Sequence, residues 1–206
     1  MKRLLQLIIA CLMALPLMAQ QPTAKALLDD ASANLRANEG IRAALTIATD
    51  EGEVKATICM KGNKFVLETP GMKTWFNGTT QWTYLEVNEE VNVSTPTAAE
   101  LQQINPYALM ESYRTGYDLS LTANHQAKNF YEITLKAQTS QQPVERVVLL
   151  LNKKTLHPIR ISAKQQGAPG MAEVIVTEYK TKQPYTNDFF QFNPAEYPQA
   201  EVIDLR

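Results

Sequence analysis

Met72–Ser94, MKTWFNGTTQWTYLEVNEEVNVS, is the stretch that decides the fold. Asn77-Gly78 separates two aromatic-rich runs, and a type I′ hairpin turn needs positive φ at both central residues, which Gly adopts freely and Asn tolerates. The spacing predicts a tight hairpin. On its far side Trp82, Tyr84 and Glu86 alternate with Thr83, Leu85 and Val87, so bulky groups fall on both faces of the strand and neither face is plainly a solvent face. After a polar turn at Asn88-Glu89-Glu90, Val91 and Val93 alternate with Asn92 and Ser94. Three adjacent antiparallel strands are expected.

The pattern extends in both directions. Upstream, Ile41, Ala43, Leu45 and Ile47 alternate with Arg42, Ala44, Thr46 and Ala48, and Asp50-Glu51-Gly52 turns the chain. Val54, Ala56, Ile58 and Met60 repeat the period, and Lys61-Gly62-Asn63 leads into Phe65–Leu67. Downstream, strands are expected at Tyr117–Leu121, Phe130–Ala137, Val144–Leu151, Ile159–Ala163 and Ala172–Thr181. Strand following strand through short turns is a meander, which argues for an antiparallel sheet or barrel over parallel βαβ units.

Two segments break the period. Thr23–Asn38 carries Ala24, Leu27, Leu28, Ala31 and Leu35 at helical spacing, and its apolar stripe needs something to cover. Thr97 with Glu100 three residues later forms a capping-box pattern ahead of Ala98, Leu101 and Ile104. Asn105-Pro106 ends that helix, and Tyr107–Tyr113 suggests a second. Two short apolar helices inserted into a meander are expected either to cover a cavity as a lid or to plug one end of a barrel.

The N-terminus is expected to be no part of the fold. Lys2 and Arg3 precede an apolar run from Leu4 to Met18, and Ala19 stands before Gln20-Gln21-Pro22, the pattern of a secretory signal peptide cleaved after about Ala19. Ile8-Ile9-Ala10-Cys11 loosely resembles a lipobox but lies inside the apolar run. Residues 20–206 then form one domain in an exported compartment. With Lys2 and Arg3 gone, 18 of the 20 basic residues face 21 acidic ones, and a net charge near −3 gives no footprint for nucleic acid or an anionic membrane. Cys59 loses its one potential partner, Cys11, so no disulfide framework is expected and a buried, inert thiol is.

Little in the chain points to catalysis. His125 and His157 stand in separate turns without metal-ligand spacing, so neither a metal nor another cofactor is expected. No nucleophile elbow, phosphate-binding glycine loop or dinucleotide fingerprint occurs, and Glu89-Glu90 is a turn pair. A binding protein is the stronger expectation.

The order of features resembles the periplasmic outer-membrane lipoprotein carrier family, the LolA-like proteins. The resemblance rests on a signal peptide, an amphipathic first helix and an F-x-G-x-x-x-W-x-Y hairpin in Phe76, Gly78, Trp82 and Tyr84. It continues in a V-x-V strand at Val91 and Val93 and in the Pro-containing helical insertion around Thr95 to Met110. Leu156-His157-Pro158-Ile159-Arg160-Ile161 is similar to the family's L-P-x-x-I strand, and Phe190-Gln-Phe-Asn-Pro with Val202-Ile203-Asp204 is similar to its closing segment.

The resemblance implies an incomplete antiparallel β-barrel of about ten or eleven strands in an α+β, mainly β fold. Its helical lid would cover an apolar concave face that carries lipoprotein acyl chains across the periplasm. The implied partners are those acyl chains or another lipid, an inner-membrane donor complex and an outer-membrane acceptor, with a monomer as the expected state. A periplasmic sensor on the same scaffold, binding a lipid or peptide without transferring it, is the alternative.

Alternation assigns Leu45, Ile47, Ile58, Met60, Phe65 and Leu67 to the concave face, continued by Trp82, Tyr84, Val91 and Val93. Later strands are expected to add Ile133, Leu135, Val148, Leu150, Ile159 and Ile161, with Leu101, Ile104, Leu109 and Met110 in the lid. In the family an arginine just before the aromatic strands latches the lid. Here Lys61-Gly62-Asn63-Lys64 occupies that neighbourhood, so the latch is expected to be replaced by lysine or missing.

Overall fold

The structure, a computed structural model, describes residues 22–122 and 129–206. The expected signal peptide and His125 lie outside the described residues. Helix α1 (Ala24–Ala37) starts where Thr23 Oγ1 accepts the Ala26 N–H at 3.1 Å and ends where the Asn38 side chain donates to Asn34 O at 2.6 Å. Both ends are closed by side chains that compete well with water for otherwise orphaned backbone groups. Its buried stripe contains Ala24, Leu27, Leu28 and Ala31 of the expected spacing together with Ser32, while the expected Leu35 is half-buried.

Six strands follow as a meander: β1 (Ile41–Thr49), β2 (Gly52–Lys61), β3 (Lys64–Thr69), β4 (Met72–Phe76), β5 (Gln81–Leu85) and β6 (Glu90–Ser94). The β4–β5 connection differs from the expected two-residue turn. It spans residues 77–80, with Gly78 at φ 102° and Asn77 outside the left-handed region. The Asn77 side-chain carbonyl accepts the backbone N–H groups of Thr79 and Thr80 at 3.0 and 2.9 Å. An Asx turn thus replaces the backbone geometry that an Asn-Gly pair usually supplies.

Helices α2 (Ala98–Ile104) and α3 (Pro106–Glu111) interrupt the strands, followed by a single 3-10 turn at Ser112–Arg114. The capping box is present in full at α2: Glu100 N donates to Thr97 Oγ1 at 3.3 Å, and Thr97 N donates to Glu100 Oε2 at 2.7 Å. The second meander comprises β7 (Tyr117–Leu121), β8 (Phe130–Ala137), β9 (Val144–Asn152), β10 (Pro158–Gln165) and β11 (Ala172–Lys180).

One long-range pairing joins the two meanders. β1 pairs antiparallel with β11 from Arg42↔Lys180 to Ala48↔Glu173, with a bulge at Ala44/Leu45. The twelfth strand, β12 (Glu201–Asp204), lies parallel to β6 and is one more than the expected maximum. Among the described residues the order is β12-β6-β5-β4-β3-β2-β1-β11-β10-β9-β8-β7, a sheet whose ends do not meet. An incomplete barrel is the resulting architecture, since β7 and β12 each pair on one side only among the described residues.

Each face of the sheet carries its own apolar layer. The larger cluster lies between the sheet and α1, with Leu28, Ile41, Ala43, Ile58, Ile133, Leu135, Leu149 and Leu151 all at 1% exposure or less. The smaller lies on the opposite, outer face, where Cys59, Val66 and Trp75 meet Phe190. The chain after β11 crosses that outer face as a strap before joining β6. The strap is anchored where Gln183 N donates to Gly40 O at 3.0 Å; a Cβ on Gly40 would stand 2.1 Å from Gln183 O, so only glycine allows this approach.

Candidate functional site

Cross-strand partners share a face, so the register assigns every predicted residue. Ile58 pairs with Leu67 and with Ala43, while Met60 pairs with Phe65 and with Ile41. Leu45 and Ile47 follow on the same side of β1, opposite Ala56 and Val54. In the second meander Ile161 pairs with Leu149, which pairs with Ile133, and Leu135 pairs with Val147. These nine expected residues, Leu45, Ile47, Ile58, Met60, Phe65, Leu67, Ile133, Leu135 and Ile161, line or pack against the inner face under α1. Leu101 and Ile104 of α2 pack against the same cluster. The side chains of Leu109 and Met110 lie outside the described part of the structure.

Six predicted residues lie on the other face. Trp75 pairs with Trp82 and Trp82 with Val93, while Lys73 pairs with Tyr84 and Tyr84 with Val91. All four of Trp82, Tyr84, Val91 and Val93 are therefore in line with Val66 and Cys59, one residue out of phase with Leu67 and Ile58. What draws the aromatic rings outward is the strap: Trp75 meets Phe192 and Tyr197 edge-on at 5.7 and 5.6 Å, and Tyr84 meets Tyr197 at 4.7 Å. Edge-to-face contacts of this kind contribute about 0.5–1.5 kcal/mol each beyond area burial.

Val148 and Leu150 are also outward, paired with Ser162 and Arg160, while Val147, Leu149 and Leu151 take the inner positions. Ile159 falls in the bulge between Pro158 and Arg160, where Pro158 takes the position opposite Leu151. A run of five apolar residues in β9 gives alternation nothing to grip, and a bulge resets the phase in β10.

Between Met72, paired with Leu85, and Phe76, the inner positions on β4 and β5 are polar instead. Thr74 Oγ1 lies 3.2 Å from Thr83 Oγ1, and Gln81 Nε2 donates to Thr83 Oγ1 at 3.3 Å. Gln81 Oε1 is buried without a partner among the described residues. Phe76, opposite Gln81, returns the face to apolar at the end of β4 and meets Phe65 at 5.4 Å with the rings tilted.

Next to Phe65 and Phe76 the lid leaves a cavity of about 400 Å³. Leu35 of α1, Met60, Phe65 and Phe76 of the sheet, and Leu101, Tyr107 and Ala108 of the lid supply its apolar walls. Arg36, Asn63, Lys64, Asn105 and Glu111 give the lining its polar groups. The volume is within the roughly 300–1,000 Å³ typical of small-ligand pockets. Tyr107 is 2% exposed, and its hydroxyl has no hydrogen-bond partner among the described residues. A buried, unsatisfied polar group of this kind costs about 1–3 kcal/mol. Burial also pushes the Tyr107 phenol far above its ordinary pKa, so it stays protonated.

Polar contacts on the outside hold the lid to α1. Arg36 Nη2 and Nε donate to Glu111 Oε2 and Oε1 at 2.7 and 3.3 Å. Tyr113 Oη donates to Asp29 Oδ1 at 2.5 Å, and Arg114 approaches Asp29 at 3.6 Å. Hydrogen bonds from Lys25 and Tyr113 hold the Asp29 carboxyl below its usual range. The lysines that stand near the family's latch position do something else. Lys61 Nζ donates to Tyr185 O at 2.7 Å and Lys64 Nζ to Asn187 Oδ1 at 2.8 Å, so both hold the strap. The contacts between α1 and the lid segment run through Arg36 and Asp29 instead.

A second, smaller cavity of about 260 Å³ lies between α1 and the β9–β10 hairpin, lined in part by Ala31, Leu35, Leu156, His157 and Tyr179. His157 stacks on Tyr179 at 4.7 Å, with Nδ1 2.5 Å from Thr155 Oγ1. Burial lowers the His157 pKa. Among the described residues no group of three or more His, Cys, Asp or Glu side chains could hold a metal ion. No helix among them is long and apolar enough to cross a membrane.

A family model described as "Outer membrane lipoprotein carrier protein LolA" matches residues 15–167. The chain belongs to this family. Among solved structures, the LolA-like chain is similar to an uncharacterized conserved protein from Thermus thermophilus, with TM-score 0.62, 17% identity and coverage of 88% of this chain and 98% of that one. It is also similar to a LolA superfamily protein from Nitrosomonas europaea, with TM-score 0.45, 12% identity and coverage of 83% and 98%. A domain assigned to outer membrane lipoprotein sorting in Vibrio parahaemolyticus gives 0.47, 10%, 81% and 95%. At such identities the first of these likenesses is one of fold, and the other two carry no weight of their own. Comparison with curated protein sequences gives no match.

Proposed function

We propose that the protein is an exported lipid carrier that holds lipoprotein acyl chains beneath its lid and delivers them towards the outer membrane. The observation that carries this reading is the cavity of about 400 Å³ between the apolar inner face and a two-helix lid, in a chain of the LolA family. Each methylene buried there is worth about 0.8 kcal/mol, so binding free energy grows with chain length until the cavity is full. A longer chain must displace the lid. That motion is inexpensive, because α2 and α3 have seven and six residues and the Arg36–Glu111 pair is solvent-exposed.

Release requires the same property. A carrier that bound its cargo with every available contact would keep it, whereas a lid fastened by exposed charges opens at the cost of a surface pair. The partners in this reading are a membrane-embedded donor of acylated protein and an acceptor at the outer membrane.

The test is displacement of a fluorescent apolar probe by a triacylated lipopeptide, compared with the same peptide lacking acyl chains. Displacement by the acylated form alone, abolished by Leu101→Glu in a variant that keeps its circular dichroism, is the expected result. Failure of the acylated peptide to displace the probe refutes the carrier reading. Binding without onward transfer to outer-membrane vesicles points to the sensor alternative.

A further inference from the structure

The net charge near −3 expected for residues 20–206 conceals a segregation along the strands. In an antiparallel meander the turns alternate between the two ends of the sheet, so the register assigns each turn to one end. The β2–β3 and β9–β10 turns and the last residues of β11 share the end at which β1 begins. There the chain places Lys61, Lys64, Lys153, Lys154, Lys180 and Lys182. Arg36 pairs with Glu111 and Arg42 with Glu178, which also meets Lys180. Glu39, and Asp188 beside the Asn187 that Lys64 contacts, still leave the lysines in excess.

The opposite end is acidic. The β1–β2 and β5–β6 turns and the start of β12 carry Asp50, Glu51, Glu86, Glu89, Glu90 and Glu201. β1 is nine residues long, so about 30 Å separates the two ends, roughly three Debye lengths at 0.1 M salt. A surface brought up to the lysines therefore feels them and little of the acidic end.

Two properties of the array identify what it fits. Its members lie along strands that are consecutive in the sheet, β3-β2-β1-β11-β10-β9, a breadth of about 24 Å at roughly 4.8 Å per strand. That breadth matches an extended surface and exceeds a pocket. All six are lysines, each a hydrated point charge on a flexible stem, without the fork by which arginine grips one carboxylate or phosphate in fixed geometry. Mobile phosphates spread over a plane suit that chemistry. We propose that this end of the protein docks on the anionic surface of a lipid bilayer. Lys61 and Lys64 donate to uncharged oxygens of the strap and keep their charge, while Lys153, Lys154 and Lys182 are exposed. Residues of the same turns line both cavities, Gly62, Asn63 and Lys64 the larger and Thr155 and His157 the smaller, so docking sets both rims against the headgroups. The charges carry the proposal whether or not the cavities take acyl chains.

The experiment is sedimentation of the protein with vesicles of phosphatidylcholine containing about 30% phosphatidylglycerol, at about 20 mM salt, where screening is weak. Each lysine near such a surface strengthens binding by about fivefold, so the combined variant Lys153→Gln, Lys154→Gln and Lys182→Asn should bind about a hundredfold more weakly than wild type. Asparagine suits the φ of 57° at position 182. The control variant Lys55→Gln, Lys136→Gln and Arg146→Gln removes the same charge from the outer face of the sheet and should stay within about threefold of wild type. Binding should be absent with phosphatidylcholine alone and should weaken as salt rises. Failure of wild type to bind the anionic vesicles overturns the proposal and leaves an acidic protein surface as the occupant. Equal losses in the two variants also overturn it, because net charge and not this end would then be the cause. So does equal binding to neutral vesicles, the mark of apolar insertion.

Discussion

Replacing Phe190 by alanine separates the two faces of the sheet. Phe190 has no exposed surface, meets Tyr185 and Phe189 edge-on at 5.7 and 5.2 Å, and seals the outer cluster over Cys59, Val66 and Trp75. Truncating a fully buried phenylalanine to alanine costs about 3–5 kcal/mol, part transfer and part residual cavity. For a domain of this size each kcal/mol shifts the melting temperature by about 2–4 °C, so a loss of roughly 6–20 °C is expected in a thermal scan. Ligand binding should survive, because the cavity lies across the sheet from Phe190 and distant sites behave nearly independently. At a temperature where both proteins are folded, displacement by a triacylated lipopeptide should agree within about twofold. A melting shift below about 3 °C would mean that the strap holds little of the fold. A large loss of affinity in a folded variant would return Trp82 and Tyr84 to the ligand path and refute the division between faces.

Two further outcomes follow from the polar contacts. Arg36→Ala should cost about 0.2–1 kcal/mol of stability and speed deuterium exchange in Pro106–Glu111 at low salt, with the difference from wild type shrinking as salt rises; unchanged exchange would remove Arg36 from the lid's fastening. Because burial depresses the His157 pKa, the unfolded chain takes up a proton before the folded one as pH falls below about 6.5. Stability from this site is therefore full above that value and declines towards pH 5. His157→Gln should flatten that part of the curve in thermal unfolding between about pH 7 and pH 5, and an identical slope in both proteins would refute the assignment.

The sequence carried the architecture well because its signals are local. Thr23, Thr97 with Glu100, and the period-two runs of β1 and β2 each specify an element from neighbouring residues, and all are present. The face assignment failed where the decision is made far away. Trp82 and Tyr84 look like pocket residues because they are the bulkiest members of their strand, and their cover, Phe192 and Tyr197, comes from a distant segment. The polar inner row of Thr74 and Thr83 was the available signal, since placing Leu67 inward commits its cross-strand partner Thr74 to the same face. Arg36 was missed for a similar reason: its partner Glu111 is on another helix, and a helix-end arginine looks like a solvated charge.

The strand order also sets a sequence of events for the chain. β1–β6 and β7–β11 are each stacks of hairpins whose partners are neighbours in the chain, so each can form on its own. Two pairings have to wait: β1 with β11, and β6, which ends at Ser94, with a strand that starts only at Glu201. Pairings across such separations carry the loop-closure cost that slows folding. Until β12 arrives, β6 presents an unpaired edge beside Trp82 and Tyr84 without their cover. That interval is when the chain is most exposed to sticking to another copy of itself.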